Sequence, residues 1–305
     1  MTDPTNNNEI LIMPPEDVEK MLATAKEVRL DVSGIRRKFP DRPYGADPKQ
    51  AVDIYLPNDG DGPFPIVFFV HGGSWAHGQK DDEQVVPFIG GVDRGYAVVS
   101  IGYRLIPDVR YPDNLFDIKA ALRWAARNAE EFRLDPARAA LCGDSAGAHL
   151  AMMAAFTQGI AVFGDVPREP TCSVRAVVEQ YGPTDFAKIH EHYDESGFPR
   201  AFVPGVPSAV DVMLGVPAES ITNLLRFYNP IDNVHPGIPP VLLQHGKRDP
   251  LIPYQQALDM YDKIIEIAGE GRAELDISEE FMHADPGYAS PESVERIYGF
   301  IDKFV

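Results

Sequence analysis

Leu141-Cys142-Gly143-Asp144-Ser145-Ala146-Gly147-Ala148-His149-Leu150 is the stretch that decides how the chain is read. An apolar run, Ala139, Ala140 and Leu141, precedes it, and an alanine-rich run over 146–156 follows. The order is a strand, a glycine-flanked serine and a helix. That order lifts a serine hydroxyl onto a sharp turn at the end of a sheet strand. Gly143 and Gly147, two residues either side of Ser145, remove Cβ atoms that would collide in such a turn. The helix that follows aims its first N–H groups at the point where negative charge develops in acyl transfer. Five common residues also fit a blander reading, a small-residue turn where a helix packs close to a strand. The flanking sequence decides between the two.

Outward from the serine, short apolar runs alternate with amphipathic spacings. Strands are expected at 35–39, 51–56, 64–70, 96–101, 174–178, 241–243 and 273–277, besides the one leading to Ser145. Helices are expected at 16–28, 85–92, 113–132, 146–156, 254–268 and 291–304. The run Phe64-Pro65-Ile66-Val67-Phe68-Phe69-Val70 is nearly all apolar, as a strand covered on both faces must be. Such alternation predicts an α/β fold: a mostly parallel central sheet with helices on both faces. Residues 1–15 are expected to be a disordered tail, and 16–305 a single domain. Residues 186–238 break the rhythm with aromatics and four prolines from Pro199 to Pro217, and are read as a lid-like, substrate-facing insertion.

Composition narrows the function. The chain has 305 residues, and its 46 acidic against 28 basic side chains give a formal charge of -18. A surface so acidic repels phosphate backbones and anionic headgroups, so neither nucleic acid nor membrane is an expected partner. Cys142 and Cys172, the two cysteines, make no disulfide framework. The start of the chain is polar and asparagine-rich, unlike a signal peptide. A soluble, cytoplasmic protein is expected; oligomeric state is left open.

In a sheet of this kind ligands gather beyond the C-terminal strand ends. His71-Gly72-Gly73-Ser74-Trp75, the Ser145 turn, His245-Gly246-Lys247-Arg248-Asp249 and the loop holding His283 all fall there. Acyl transfer needs a nucleophile, a base, an acid that orients the base, and donors for an oxyanion. Ser145 is the candidate nucleophile, Asp249 the acid and His283 the base, in the chain order serine, acid, histidine that this fold requires. Asp262 and Asp285 are rival acids. His149, four residues past Ser145, is read as a packing residue, His71 as a brace for the glycine loop, and His245 as packing beneath the acid loop. Arg104 is read as an ion-pair partner. His190-Glu191-His192 places its histidines two apart, the wrong spacing for one helix face, so no metal is expected. No cofactor is expected either.

These motifs together resemble an α/β-hydrolase esterase of the hormone-sensitive-lipase-like group, closest to its feruloyl/acetylxylan-esterase-like branch. His71-Gly72-Gly73-Ser74-Trp75, Tyr103-Arg104-Leu105, Gly143-Asp144-Ser145-Ala146-Gly147, His245-Gly246 with Asp249, and His283 occur in that group's order, over a span from Ala51 to the C-terminus. The resemblance implies an oxyanion hole at Gly72, Gly73, Ser74 and Ala146, with the N–H groups of the last three as donors. Ser74 departs from the group, where a third glycine is common, so the loop must accommodate a side chain. Trp75 and Asp144 are carried as candidate substrate contacts. The implied activity is hydrolysis of small soluble acyl or aryl esters through an acyl-enzyme. An arylformamidase-type amidase and a non-catalytic binding module of the same fold are the alternatives.

Overall fold

The computed structural model describes residues 30–197, 208–216 and 218–305. Eight strands form one sheet: β1 Arg37–Pro43, β2 Ala51–Leu56, β3 Phe64–Val70, β4 Ala97–Ile101, β5 Leu134–Asp144, β6 Val174–Gln180, β7 Val241–Gly246 and β8 Ala273–Ser278. Their order across the sheet is β1-β2-β4-β3-β5-β6-β7-β8. β1 and β2 run antiparallel to their neighbours, and β3 to β8 are mutually parallel. The order reverses at β3, and the site is built at the strand ends beside that reversal.

Side chains alternate between the two faces of the sheet, and both faces are covered. On one face Ile66, Phe68, Val70, Val99, Leu141, Val177 and Leu243 pack against helices α1 Asp113–Arg127, α2 Ala146–Phe156 and α5 Gln255–Ala268. On the other, Val67, Phe69, Val98, Cys142, Val178 and Leu242 pack against Phe88 and helix α6 Pro291–Ile301. Helices on both faces explain why the central strands read as unbroken apolar runs. α2 sits deepest. All eleven of its residues are buried, and its alanines let it lie close on the strands.

The expected strands at 51–56 and 64–70 stand at those bounds. Other bounds shift, among them these three. The first strand lies at 37–43 rather than 35–39. The helix expected to run to 132 stops at Arg127, where the Asn128 side chain donates to Trp124 O at 2.7 Å and turns the chain. The helix expected over 85–92 is a succession of short helical turns over 83–94, and a Cβ at Gly91 would stand 2.3 Å from the Tyr298 hydroxyl. The insertion supplies α3 Ile189–Ser196 and α4 Ala209–Leu214, then 3-10 turns over 218–233. The tail and helix expected before residue 30, and Phe198 and Phe202 of the insertion, lie outside the described residues. Among the described residues no helix is long and apolar enough to cross a membrane.

Candidate active site

The turn between β5 and α2 holds Ser145 at φ 50° and ψ -120°, a conformation side chains rarely adopt. Its N–H donates to Gln180 O at 2.8 Å, which ties the strained residue to the end of β6. A Cβ at Gly147 would stand 2.0 Å from Val70 O and 2.5 Å from His71 O. The glycine is therefore required less by the turn than by the closeness of α2 to the end of β3. A Cβ at Gly143 would likewise meet Gly147 O at 2.5 Å.

Asp249 and His283 come from the loops after β7 and β8. Those loops are stitched together by backbone bonds, Lys247 N–H to Ser278 O at 2.8 Å and Arg248 N–H to Phe281 O at 3.1 Å. Gly246 permits this approach, since a Cβ there would lie 2.1 Å from Phe281 O. The result is a line of three groups. His283 Nδ1 lies 2.7 Å from Asp249 Oδ2, and its Nε2 lies 2.9 Å from Ser145 Oγ. The carboxylate can only accept, so Nδ1 carries the proton and Nε2 offers its lone pair to the hydroxyl.

Asp249 is 2% exposed, yet its charge is well supported. Oδ1 accepts the Leu251 and Ile252 N–H groups at 2.8 Å each, and Oδ2 also faces His245 Nε2 at 3.3 Å. Burial pushes its carboxyl up, but His283 and His245 outweigh that and hold it well below the usual carboxylate range. The rival acids are engaged elsewhere. Asp285 accepts the Gly287 N–H at 2.8 Å at the start of a helical turn, and Asp262 is exposed on α5.

The glycine loop passes over the elbow with Gly73 at φ 105°, Ser74 at 53° and Trp75 at 59°. Ser74 thus takes the left-handed conformation that a glycine would take more cheaply. Among the described residues the N–H groups of Gly73, Ser74 and Ala146 bond to no protein acceptor. Gly72, expected in the same loop without a donor's part, has its own partners. Its N–H is spent on Asp144 Oδ1 at 2.8 Å and Gln84 Oε1 at 2.9 Å, so Gly72 anchors the loop and does not serve as a donor.

Asp144 departs from its expected place as a substrate contact. It is 1% exposed, with one oxygen on Gly72 N–H and the other 3.4 Å from the Tyr181 hydroxyl. Burial lifts its carboxyl to about 7, against the pull of the Gly72 N–H and His283. Its work is to bolt the glycine loop to the elbow. Trp75 is buried as well. Its indole N–H donates to His149 Nδ1 at 3.3 Å, and its ring meets Phe186 edge-on at 6.1 Å, so it forms a wall rather than an open contact.

The remaining histidines separate by their surroundings. His149 receives the Trp75 N–H at Nδ1 and donates Nε2–H to Tyr228 O at 2.7 Å; burial pushes it down to about 4, so it stays neutral. His71 is pushed by burial to about 4 too; it lies flat on Tyr103, and its Nδ1–H donates to Gly72 O at 2.9 Å. Arg104 forks onto both oxygens of Asp117, at 2.9 and 2.7 Å. On α3, His192 turns inward to Gln256 while His190 is exposed. Among the described residues no three His, Cys, Asp or Glu side chains stand close enough to hold a metal ion. Of the insertion's aromatics, Tyr193 bonds Leu251 O, and Phe227 and Tyr228 pack against the core. Sequence reasoning missed Gln84, which no motif marks, and Tyr181, whose ring meets the His283 ring edge-on at 4.8 Å.

Comparisons with known proteins bear on the family and the fold. Esterase LipC of Mycobacterium tuberculosis is 32% identical over 223 residues, 72% of this chain and 53% of that protein. The probable carboxylic ester hydrolase LipM of the same organism is 30% identical over 222 residues, 71% of this chain and 49% of that one. The chain thus spans about half the length of these curated relatives. Among solved structures, a truncated carbohydrate esterase from gut microbiota superposes with a TM-score of 0.77 at 21% identity, covering 90% of this chain and 99% of that one, a likeness that carries the fold. The BD-FAE family model matches residues 52–264, from β2 through most of α5. With that match spanning more than half its length, the chain belongs to the BD-FAE family, on an α/β-hydrolase fold.

Proposed function

We propose that this protein is a serine carboxylic ester hydrolase that cleaves small soluble acyl or aryl esters through an acyl-enzyme. One observation carries the reading: the line from Asp249 Oδ2 through both ring nitrogens of His283 to Ser145 Oγ, at 2.7 and 2.9 Å. The ester hydrolases among its relatives support it.

On this reading His283, held in one tautomer by Asp249, takes the Ser145 proton as Oγ attacks the ester carbonyl. The oxyanion rests against the N–H groups of Gly73, Ser74 and Ala146, each worth on the order of 3 kcal/mol in the transition state. The helix dipole of α2 adds to the same end. His283 then protonates the departing alcohol, and water, deprotonated by the same imidazole, releases the acid from Ser145.

The test is hydrolysis of p-nitrophenyl acetate by the wild type and by Ser145→Ala. The wild type is expected to turn over, and the folded variant to lose at least about three orders of magnitude in kcat. Equal activity in the two removes the proposal. Phenyl acetate and N-formylkynurenine run side by side separate an esterase from a formamidase.

A further inference from the structure

Asp249 and Ser145 hold the ring nitrogens of His283, and the ring of Tyr181 closes one side of the imidazole. The two ring centroids lie 4.8 Å apart at an interplanar angle of 66°, an edge-to-face contact that leaves no gap between the rings. The imidazole is therefore stopped on that side. Such a stop matters because a histidine on a loop otherwise turns about both of its side-chain bonds. Hydrogen bonds at the two nitrogens fix its direction only while both partners can bond.

The main chain holds the Tyr181 ring there against its own preference. Tyr181, the first residue after β6, has φ 43°, in the left-handed region that Gly or Asn enters more cheaply than an aromatic residue. Strain of this kind persists where the surroundings enforce it, and it gathers at working sites. Here the Tyr181 N–H donates to Gln244 O of β7 at 2.8 Å. On its far side the ring packs on Tyr288, centroids 4.5 Å apart, from the helical turn after His283. The Tyr181 hydroxyl lies 3.4 Å from Asp144 Oδ2, long beside the spacing of about 2.7–2.8 Å usual for a hydroxyl donor. The ring, then, and not the hydroxyl, makes the close contact.

We propose that Tyr181 is a positioning residue whose ring keeps the His283 imidazole in line with Asp249 once Ser145 Oγ has become part of the acyl-enzyme. The proposal rests on the hydrolase reading. Before the reaction Ser145 Oγ donates its proton toward Nε2, and Asp249 accepts from Nδ1–H. In the acyl-enzyme Oγ is an ester oxygen with no proton to give, so the bond at Nε2 is lost. Asp249 and the Tyr181 ring remain. Water then passes a proton to Nε2 as its oxygen bonds the acyl carbon. The bond from that carbon to Oγ breaks, Oγ takes the proton back, and the acid departs. Deacylation therefore leans on Tyr181 more than acylation does.

The experiment compares the wild type, Tyr181→Phe and Tyr181→Leu with p-nitrophenyl acetate, kcat and KM being measured beside the decay of the acetyl-enzyme followed by mass. Tyr181→Leu is expected to slow that decay roughly tenfold, the scale of a misplaced base. Its kcat and KM should fall together, with kcat/KM, which reports acylation, within about twofold of the wild type. Tyr181→Phe keeps the ring and is expected to restore the decay. Wild-type decay in folded Tyr181→Leu overturns the proposal, and so does an equal loss in acylation. A loss in Tyr181→Phe as large as in Tyr181→Leu overturns it too, since the hydroxyl would then be the part that acts. A second arm needs no turnover. Ser145→Ala, like the acyl-enzyme, offers no proton to Nε2. In it the His283 ring is expected to keep one position by NMR, with Overhauser contacts to the Tyr181 ring, and to lose that position in Ser145→Ala with Tyr181→Leu. Identical ring signals in the two proteins contradict the proposal. Should the Tyr181→Leu proteins not fold, absence of those contacts in Ser145→Ala contradicts it instead. If no ester is hydrolysed at all, the functional reading falls, while the ring signals still decide what holds His283.

Discussion

The elbow, residues 139–156, and the insertion, 186–238, hold their shapes by different means. In the elbow the neighbours that matter are main-chain atoms. Val70 O lies where a Cβ of Gly147 would be, and Gln180 O takes the Ser145 N–H. Where the insertion joins the domain the neighbours are polar side chains. Gln256, from α5, accepts the Thr184 and Asp185 N–H groups at 2.8 and 2.7 Å, and its amide reaches Asp185 O and His192 Nδ1 at 2.9 and 2.8 Å. Asn229 in turn donates to Asp185 Oδ1 at 3.1 Å. Steric closeness of backbone leaves a mark that sequence can display, because only glycine satisfies it. A network of hydrogen-bonded side chains leaves none, since Gln and Asn serve equally well on a surface.

The contrast is broken most severely at Gly147. Gly147→Ala should cost about 3 kcal/mol or more, because a carbonyl of a central strand must move to admit the methyl group. Leu224→Ser, at a position of the insertion that is 50% exposed, should change stability by less than about 0.5 kcal/mol. Urea unfolding of the two variants measures both. A Gly147→Ala midpoint close to that of the wild type would mean that main-chain closeness does not govern the elbow.

A comparable effect is expected where the two regions meet, at His149, which bonds Trp75 of the glycine loop and the carbonyl of Tyr228. Burial holds this imidazole at about 4, against an ordinary value of about 6.5. Above pH 6.5 it is neutral folded or unfolded, and costs nothing. Between pH 6.5 and 4 only the unfolded chain takes up the proton, so stability is lost as pH falls through that window. The loss totals about 3 kcal/mol. His71 adds a loss of the same sign. Glu179 and Asp144, raised by burial to about 7, oppose it, since the folded state binds their protons more readily. His149→Gln keeps both hydrogen bonds without the titration. The difference in stability between wild type and variant is therefore expected to change by about 3 kcal/mol between pH 7 and pH 4, with the other groups cancelling. Parallel stability curves would contradict the neutral, buried imidazole.

The same division explains what could be read beforehand. The strands at 51–56 and 64–70 were legible because they are covered on both faces and bounded by turn residues. Ser145, Asp249 and His283 were legible because each stands just beyond a strand end, and the structure brings these three within hydrogen-bonding distance. The parts played by Gly72 and Asp144 were not. A glycine beside donors and an aspartate beside a serine look like parts of an open site, and only the 2.8 Å bond between them shows that they fasten two loops together. Gln84 and Tyr181 were hidden for the reason that hides the insertion network. Their partners lie on other elements, and no spacing along the chain brings them into view.

The central claim is that Ser145 is the nucleophile and that His283 activates it. Treatment with a fluorophosphonate ester, followed by mass mapping of the peptides, tests it most directly. The account predicts one adduct on the peptide containing Ser145 in the wild type, and little or none in folded His283→Ala over the same time. An adduct on a different serine, or labelling of Ser145 at an equal rate without His283, would contradict it.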